Sequence, residues 1–306
     1  MTFSWEVREE LAKIIPKARH CRIAEFAVLF LHYGTVEERD GQIRLVLNCE
    51  QESIARKCFT LAEKTFNISV GLLKTDRLFR IEIAQEEAVT DILSAVKLLD
   101  GNGKILANAD HVSHQLVKTQ CCMRAFLRAC YICCGSISDP AKGYHLEFVC
   151  QSDSMAEMIS QILGHFDIEA KTVLRKKYRV IYLKEGSAIV EVLNIMEAHI
   201  SMMNLENYRI LHEIAGETNR RVNCETANLL KSVNAANSQI EDIEFIARTV
   251  GLSALPPALQ EMAEVRLEHR DATLKELGEF LSPSVGKSGV NHRLRKIQEY
   301  ATKLKG

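Results

Sequence analysis

The chain repeats itself. Residues 23–34 read IAEFAVLFLHYG and residues 124–135 read RAFLRACYICCG, two apolar helical stretches closed by glycine, with Gly34 and Gly135 standing 101 residues apart. The same offset carries Cys49 to Cys150, Ser53 to Ser154 and Ala55 to Ala156. Such self-similarity constrains the fold more than any single motif, because one architecture must serve both copies. After each glycine comes a small β-like segment, Thr35-Val36 or Ser136-Ile137, then a strand-like run over 43–49 or 144–150. An amphipathic helix follows in each half, SIARKCFTLAEKTF or SMAEMISQILGHF. Phe66 and Phe166, with Asn67-Ile68 and Asp167-Ile168, then fall one residue out of step. One or two strands close at 78–83 and 178–183, and a last helix lies near 86–99 or 187–203. Strands set between helices predict α+β units with antiparallel sheets, one face packed on helices. The glycine-ended helices are hydrophobic nearly all round and need burial. Ala24, Ala27, Ala125 and Ala129 leave room for close approach. The expectation is two αββαβ-type units paired about a pseudo-twofold axis along these helices. The alternative is two domains that share a fold without pairing.

The C-terminal end has a different grammar. Leu274, Leu277 and Leu281 form one helical stripe, Ser282-Pro283-Ser284 breaks it, and Val290, Leu294, Ile297, Ala301 and Leu304 form a second. Two short amphipathic helices about a tight turn predict a helix-turn-helix. Pro256-Pro257 predicts the start of a supporting helix from Ala258 to His269. The last helix is basic, with Lys287, Arg293, Arg295, Lys296, Lys303 and Lys305 against Glu299. With Val290 facing the core, Ser288, His292 and Arg295 point the opposite way, flanked by Lys287 and Asn291. Together with Ser284, Arg293 and Lys296, these are the candidate DNA contacts, suited to phosphate oxygens and base edges. The competing reading is a surface helix with a solvated basic face.

With 306 residues the chain can hold several cores, and the expected division is 1–110, 111–212 and 213–306. A net charge of -1 means that any basic surface must be local. The N-terminal stretch is charged and lacks the apolar core of a signal peptide, and no stretch approaches a membrane span. The expectation is a cytoplasmic, nucleoid-associated protein whose ten cysteines are reduced, with no membrane partner. The oligomeric state is left open, a monomer included.

These features carry a resemblance. Paired repeats opening on apolar, glycine-ended helices look like the LAGLIDADG homing-endonuclease fold. With the helix-turn-helix added, the chain resembles the WhiA family of bacterial sporulation and cell-division regulators. The most specific stretches are NRRVNCETANLLKSVNAANSQIEDI (219–243) and TLKELGEFLSPSVGKSGVNHRLRKI (273–297), with FSWEVREELAKI (3–14) also familial. TLKELG further resembles the promoter-reading domain of sigma factors, with a longer turn here. In the endonucleases the acidic residue just before the helix-ending glycine binds the catalytic metal. Here those positions hold Tyr33 and Cys134, a neutral phenol and a soft thiol that suit Mg²⁺ poorly. The resemblance therefore implies a catalytically silent scaffold, no cofactor and no catalytic residues. It implies double-stranded DNA as partner, with RNA polymerase or a sigma factor as a further one.

Weaker signals remain. Lys171, Arg175, Lys176, Lys177 and Arg179 in the second repeat, and Lys74, Arg77 and Arg80 in the first, are candidate scaffold contacts to DNA phosphates or else solvated hairpins. Cys121, Cys122, Cys130, Cys133 and Cys134, with His111 and His114 nearby, suggest a metal. However, Cys130 and Cys133 lie inside an apolar helix rather than on zinc knuckles, so no metal is assigned. Gly101-Asn102-Gly103-Lys104 reads as a turn, not a phosphate loop. The Asn-rich stretch from Asn219 to Asn237 reads as a connecting helix whose role is open. Two rival functions stand beside the regulator: a metal-dependent DNA endonuclease, and a protein-interaction module.

Overall fold

The computed structural model describes residues 2–39, 41–75, 77–106 and 110–306. The chain divides into two compact units, one up to His212 and one from Glu213.

In the first unit, α1 (Phe3–Lys13) precedes a repeat built from α2 (Arg19–Tyr33), β1 (Gly34–Arg39), β2 (Gln42–Cys49), α3 (Glu52–Phe66), β3 (Gly71–Lys74), β4 (Phe79–Ile83) and α4 (Glu86–Ala95). The second repeat matches it: α5 (Gln120–Cys134), β5 (Gly135–Ile137), β6 (Leu146–Cys150), α6 (Asp153–His165), β7 (Lys171–Arg175), β8 (Tyr178–Leu183) and α7 (Gly186–Ile195). The sheets run β1-β2-β4-β3 and β5-β6-β8-β7, antiparallel throughout. The open choice of one or two closing strands resolves to two.

The frame slip has a visible cause. α3 spans 15 residues and α6 spans 13. Both are followed by a non-glycine residue with positive φ, Asn67 (54°) and Asp167 (58°), and Asn and Asp are among the types that tolerate this geometry best. The last helices of the repeats also end sooner than periodicity predicts. Leu98 N–H donates to the Leu93 carbonyl and Ala198 N–H to the Leu193 carbonyl, with Lys97 (φ 63°) and Glu197 (φ 66°) left-handed. This six-to-one closure is a Schellman ending made without glycine. It divides the stretch expected as one helix over 187–203 into α7 and α8 (His199–Thr249).

The seam is α2 against α5. Ala24 and Ala125 are fully buried and pack with Cys21 and Cys122. Below them Phe26, Leu29, Phe126 and Tyr131 join a core shared by both sheets. Crossing it is a buried ionic network. Lys57 on α3 lies 2.8 Å from Glu25 on α2, Arg128 on α5 lies 3.2 Å from the same carboxylate, and Arg128 reaches Glu197 at 2.7 Å. Lys57 also donates to the Leu11 and Ile14 carbonyls. Burial pushes the Glu25 carboxyl up and the Lys57 ammonium down, and their mutual attraction opposes both shifts. Glu10 on α1 accepts from the Ile200 and Ser201 N–H groups at 2.8 and 2.9 Å, capping the exposed start of α8 from a distance.

In the second unit, the end of α8 contributes Ile243 and Ile246 to a core with α9 (Pro257–Glu268), α10 (Leu274–Glu279) and α11 (Lys287–Lys305). The Asn-rich stretch is helical within α8, and most of its side chains are exposed.

Candidate nucleic-acid interface

α10 starts on a capping box. Glu276 N–H donates to the Thr273 hydroxyl, and Thr273 N–H donates to the Glu276 carboxylate at 2.7 Å. That hydrogen bond holds the Glu276 carboxyl below its usual range. α10 ends at Glu279, and residues 280–286 turn the chain into α11. Gly278 makes the turn tight: a Cβ there would overlap the Val285 carbonyl oxygen. Val285 N–H returns a hydrogen bond to the Gly278 carbonyl at 2.9 Å. This backbone-to-backbone approach tolerates no side chain, a requirement that periodicity alone does not reveal.

The two predicted stripes close on each other. Leu277, Leu281, Val290, Leu294, Ile297 and Ala301 are buried together with Met262 and Ala263 of α9, while Leu274 and Leu304 sit at the edge. The core therefore fixes the rotation of α11. The residues singled out for DNA then fall as follows. Ser284, Lys287, Ser288, Asn291, His292, Arg295 and Lys296 are exposed. Arg293 is different: it is half-buried, with its guanidinium 3.5 Å from the Glu261 carboxylate and from the Ala258 carbonyl oxygen, a brace between α11 and α9. Lys296 pairs with Glu299 at 2.8 Å along the helix surface. Lys287 and Arg295 form no ion pair among the described residues. Gly286 at the N-cap offers no side chain to the first turn of α11, so its leading N–H groups and dipole favour an anion.

The scaffold candidates are dispersed rather than gathered. Arg175 lies 3.2 Å from Glu147, and Arg179 lies 2.6 Å from Asp153 at the start of α6. Cross-strand register separates them: Arg175 stands opposite Tyr178, whereas Arg179 stands opposite Cys150, whose side chain is buried. Lys171 is exposed opposite Tyr182. Lys176 sits in the β7–β8 turn with φ 57°, and Lys177 lies over the Tyr178 ring. In the first repeat, Lys74 covers the Phe79 ring and Arg77 is exposed in the loop. Arg80 bridges Glu37 (3.0 Å) and Glu82 (3.6 Å), and Glu82 also accepts from Arg44 at 2.7 Å. Arg44 escapes sequence reading because its partner lies on a neighbouring strand.

At the glycine ends of the seam, Tyr33 is half-buried, and its phenol is pushed up by burial and by the Cys133 thiol beside it. The Cys134 thiol donates to the Cys130 carbonyl, and its hydrogen bond with Cys150, then burial, raises it well above the ordinary thiol range. Neither group is an anion near neutrality. A cleft of about 550 Å³ beside Cys134 is lined by His32, Cys130, Cys133, Cys150 and a carboxylate, Asp110. Asp110 is paired with His111 at 2.7 Å.

Comparison with known proteins agrees with this architecture. The family model of the WhiA LAGLIDADG-like domain matches residues 24–107 and 123–215, and that of the WhiA C-terminal HTH domain matches 218–301. A probable cell division protein WhiA of Alkaliphilus oremlandii is 46% identical, with 99% of this chain and 98% of the relative covered. Its counterpart in Lachnoclostridium phytofermentans is also 46% identical, with both chains covered in full (100% and 100%). The crystal structure of full-length DUF199/WhiA from Thermatoga maritima superposes with a TM-score of 0.57 at 23% identity, covering 99% of each chain, and so shares the fold. No described helix is long and apolar enough to cross a membrane. By fold, length and sequence, the chain belongs to the WhiA family.

Proposed function

We propose that this chain is a sequence-specific DNA-binding transcriptional regulator acting in cell division, chromosome segregation or sporulation. In this reading α11 enters the major groove, and the LAGLIDADG-like repeats form a catalytically silent scaffold. The observation that carries it is the exposed row Lys287, Ser288, Asn291, His292 and Arg295 on a helix whose rotation is fixed by a buried opposite face. Lys287 and Lys296 suit phosphates. Asn291 and Arg295 have the planar donor groups that read adenine and guanine edges. Division-related control is supported by the names of full-length relatives, each a probable cell division protein WhiA. Silence of the scaffold is supported by Tyr33 and Cys134, which offer no hard anionic ligand where the endonuclease fold binds its metal. Contact with RNA polymerase or a sigma factor belongs to the same proposal.

The test is selection of fragments from a bacterial genome by the full chain, with and without Mg²⁺. The expected result is selective retention of intact DNA by the parent and its loss in Arg295→Ala. Mg²⁺-dependent cleavage would instead revive the endonuclease. Retention unchanged by Arg295→Ala would move the specificity away from α11, and no retention at all would favour a protein-interaction role.

A further inference from the structure

We propose that His20, Cys21, Cys121 and Cys122 form a zinc-binding site that clips together the first turns of the two seam helices. His20 and Cys21 open α2, and Cys121 and Cys122 open α5. Their four ligand atoms lie within 4.8 Å of one another. His20 Nδ1 is 3.1 Å from Cys122 Sγ and 3.4 Å from Cys21 Sγ. A tetrahedral zinc with bonds of about 2.3 Å to sulfur and about 2.0 Å to nitrogen spaces its ligands by roughly 3.4–3.8 Å. The four atoms therefore need only close by about an ångström around an ion.

The duplication explains the arrangement. The offset of 101 residues that relates Gly34 to Gly135 also relates His20 to Cys121 and Cys21 to Cys122. Each repeat thus contributes two consecutive ligands from equivalent positions, and a pseudo-twofold axis brings four donors to one point. Three thiolates and one imidazole make a Cys₃His set, which is closed, soft and of the structural zinc type, and unsuited to Mg²⁺ or Ca²⁺. Cys21 and Cys122 are buried against Ala24 and Ala125, while His20 and Cys121 are exposed at the rim, which provides an entry path. The Thr119 hydroxyl lies 3.3 Å from the Cys121 sulfur and can orient it. Cysteines 130, 133 and 134, further along α5, are not part of the set.

The full chain, purified without chelator and under reductant, is assayed for metal by mass spectrometry and then titrated, after chelation, with zinc and with cobalt(II). The expected result is about one zinc per chain and a thiolate-to-cobalt charge-transfer spectrum with the intense visible bands of a tetrahedral site. Cys121→Ser and His20→Gln, both at the exposed rim, are expected to keep the fold by circular dichroism and to lose zinc affinity by about tenfold or more. Cys224→Ser, on the exposed face of α8, leaves binding unchanged. Chelation lowers the thermal midpoint of the parent and not that of Cys121→Ser. The site is overturned by sub-stoichiometric zinc with no tetrahedral cobalt spectrum, or by zinc retained in both rim variants. Isolation of a Cys21–Cys121 disulfide as the resting state under reductant would overturn it as well.

Discussion

Four arginines of the two sheets and two outward cations of the last helix, Lys287 and Arg295, are placed under opposite rules. On the sheets four arginines face carboxylates: Arg44 with Glu82, Arg80 with Glu37, Arg175 with Glu147, Arg179 with Asp153. On α11, Lys287 and Arg295 form no ion pair among the described residues, while Arg293 is turned inward to Glu261, Lys296 pairs with Glu299 and Lys305 with Asp242. A run of basic residues therefore does not by itself define a phosphate surface. On a strand, the neutralising partner stands on the next strand, far away in sequence. On a helix whose other face is buried, the outward row is known from spacing alone. Arg44, Arg80, Arg175 and Arg179 are thus already paired, whereas Lys287 and Arg295 of α11 form no ion pair among the described residues.

The strongest way to break this contrast is to attack the charges that are wholly internal. Glu25→Ala leaves Lys57 and Arg128 buried at the seam, with one partner fewer each. Stripping one member of a buried ion pair costs about 3–5 kcal/mol, because the remaining charge is uncompensated. Urea unfolding of the first unit's transition is expected to show a loss of that size, with the DNA affinity of the still-folded fraction unaltered. A near-neutral result would mean that water reaches the network. Next in size is Arg295→Ala, expected to weaken specific DNA binding by about 1–3 kcal/mol without moving the unfolding midpoint. Arg293→Ala sharpens the test. Its brace to Glu261 predicts a loss shared between stability and affinity, and a pure affinity loss would return Arg293 to the reading face.

A smaller effect is expected on the sheets. Arg80→Ala and Arg175→Ala remove partly exposed, already paired cations, so each costs about 0–1 kcal/mol in stability. Each leaves the salt dependence of DNA binding almost unchanged, whereas Lys287→Ala reduces its log–log slope by about one. A comparable drop in slope for Arg80→Ala or Arg175→Ala would show that the sheet pairs open onto DNA, and the contrast would fail.

What was legible in the chain follows the range of each interaction. The duplicated helices, both strand pairs and the buried stripe of α11 come from local periodicity, and the seam from apolarity that nothing else would cover. The strand Tyr178–Leu183 appears with the predicted bounds. The helix ends at Ala95 and Ile195 do not, because they rest on left-handed Lys97 and Glu197 rather than glycine. Glu25, Lys57 and Arg128 looked like ordinary helix residues, since only tertiary packing brings them together. The grouping of His20 with Cys122 was hidden likewise: each pair of ligands lies on its own helix, and only pairing of the repeats brings them into reach. Gly278 sits in plain sight within TLKELG, but its need to be glycine lies in Val285, across the turn.

The smallest effect concerns the helix that sets the turn. Glu276 is held below the ordinary glutamate range, first by the hydrogen bond from the Thr273 backbone N–H and then by the one involving the Thr273 side chain. A carboxyl with a lowered folded-state pKa contributes stability that is fully present above its unfolded value and fades as pH falls through the folded one. The contribution of the capping box is thus intact near neutrality and lost only in acid. Glu276→Ala should unfold at a slightly lower temperature than the parent at pH 7, and the gap should narrow as the pH is taken below that of the free carboxyl. A gap constant across this range would mean that the negative charge does not matter and that α10 starts on the Thr273 hydroxyl alone. In that case the presentation of α11 rests on Gly278 and the buried stripe, and acid would leave DNA binding by the folded protein unaffected at this point of the turn.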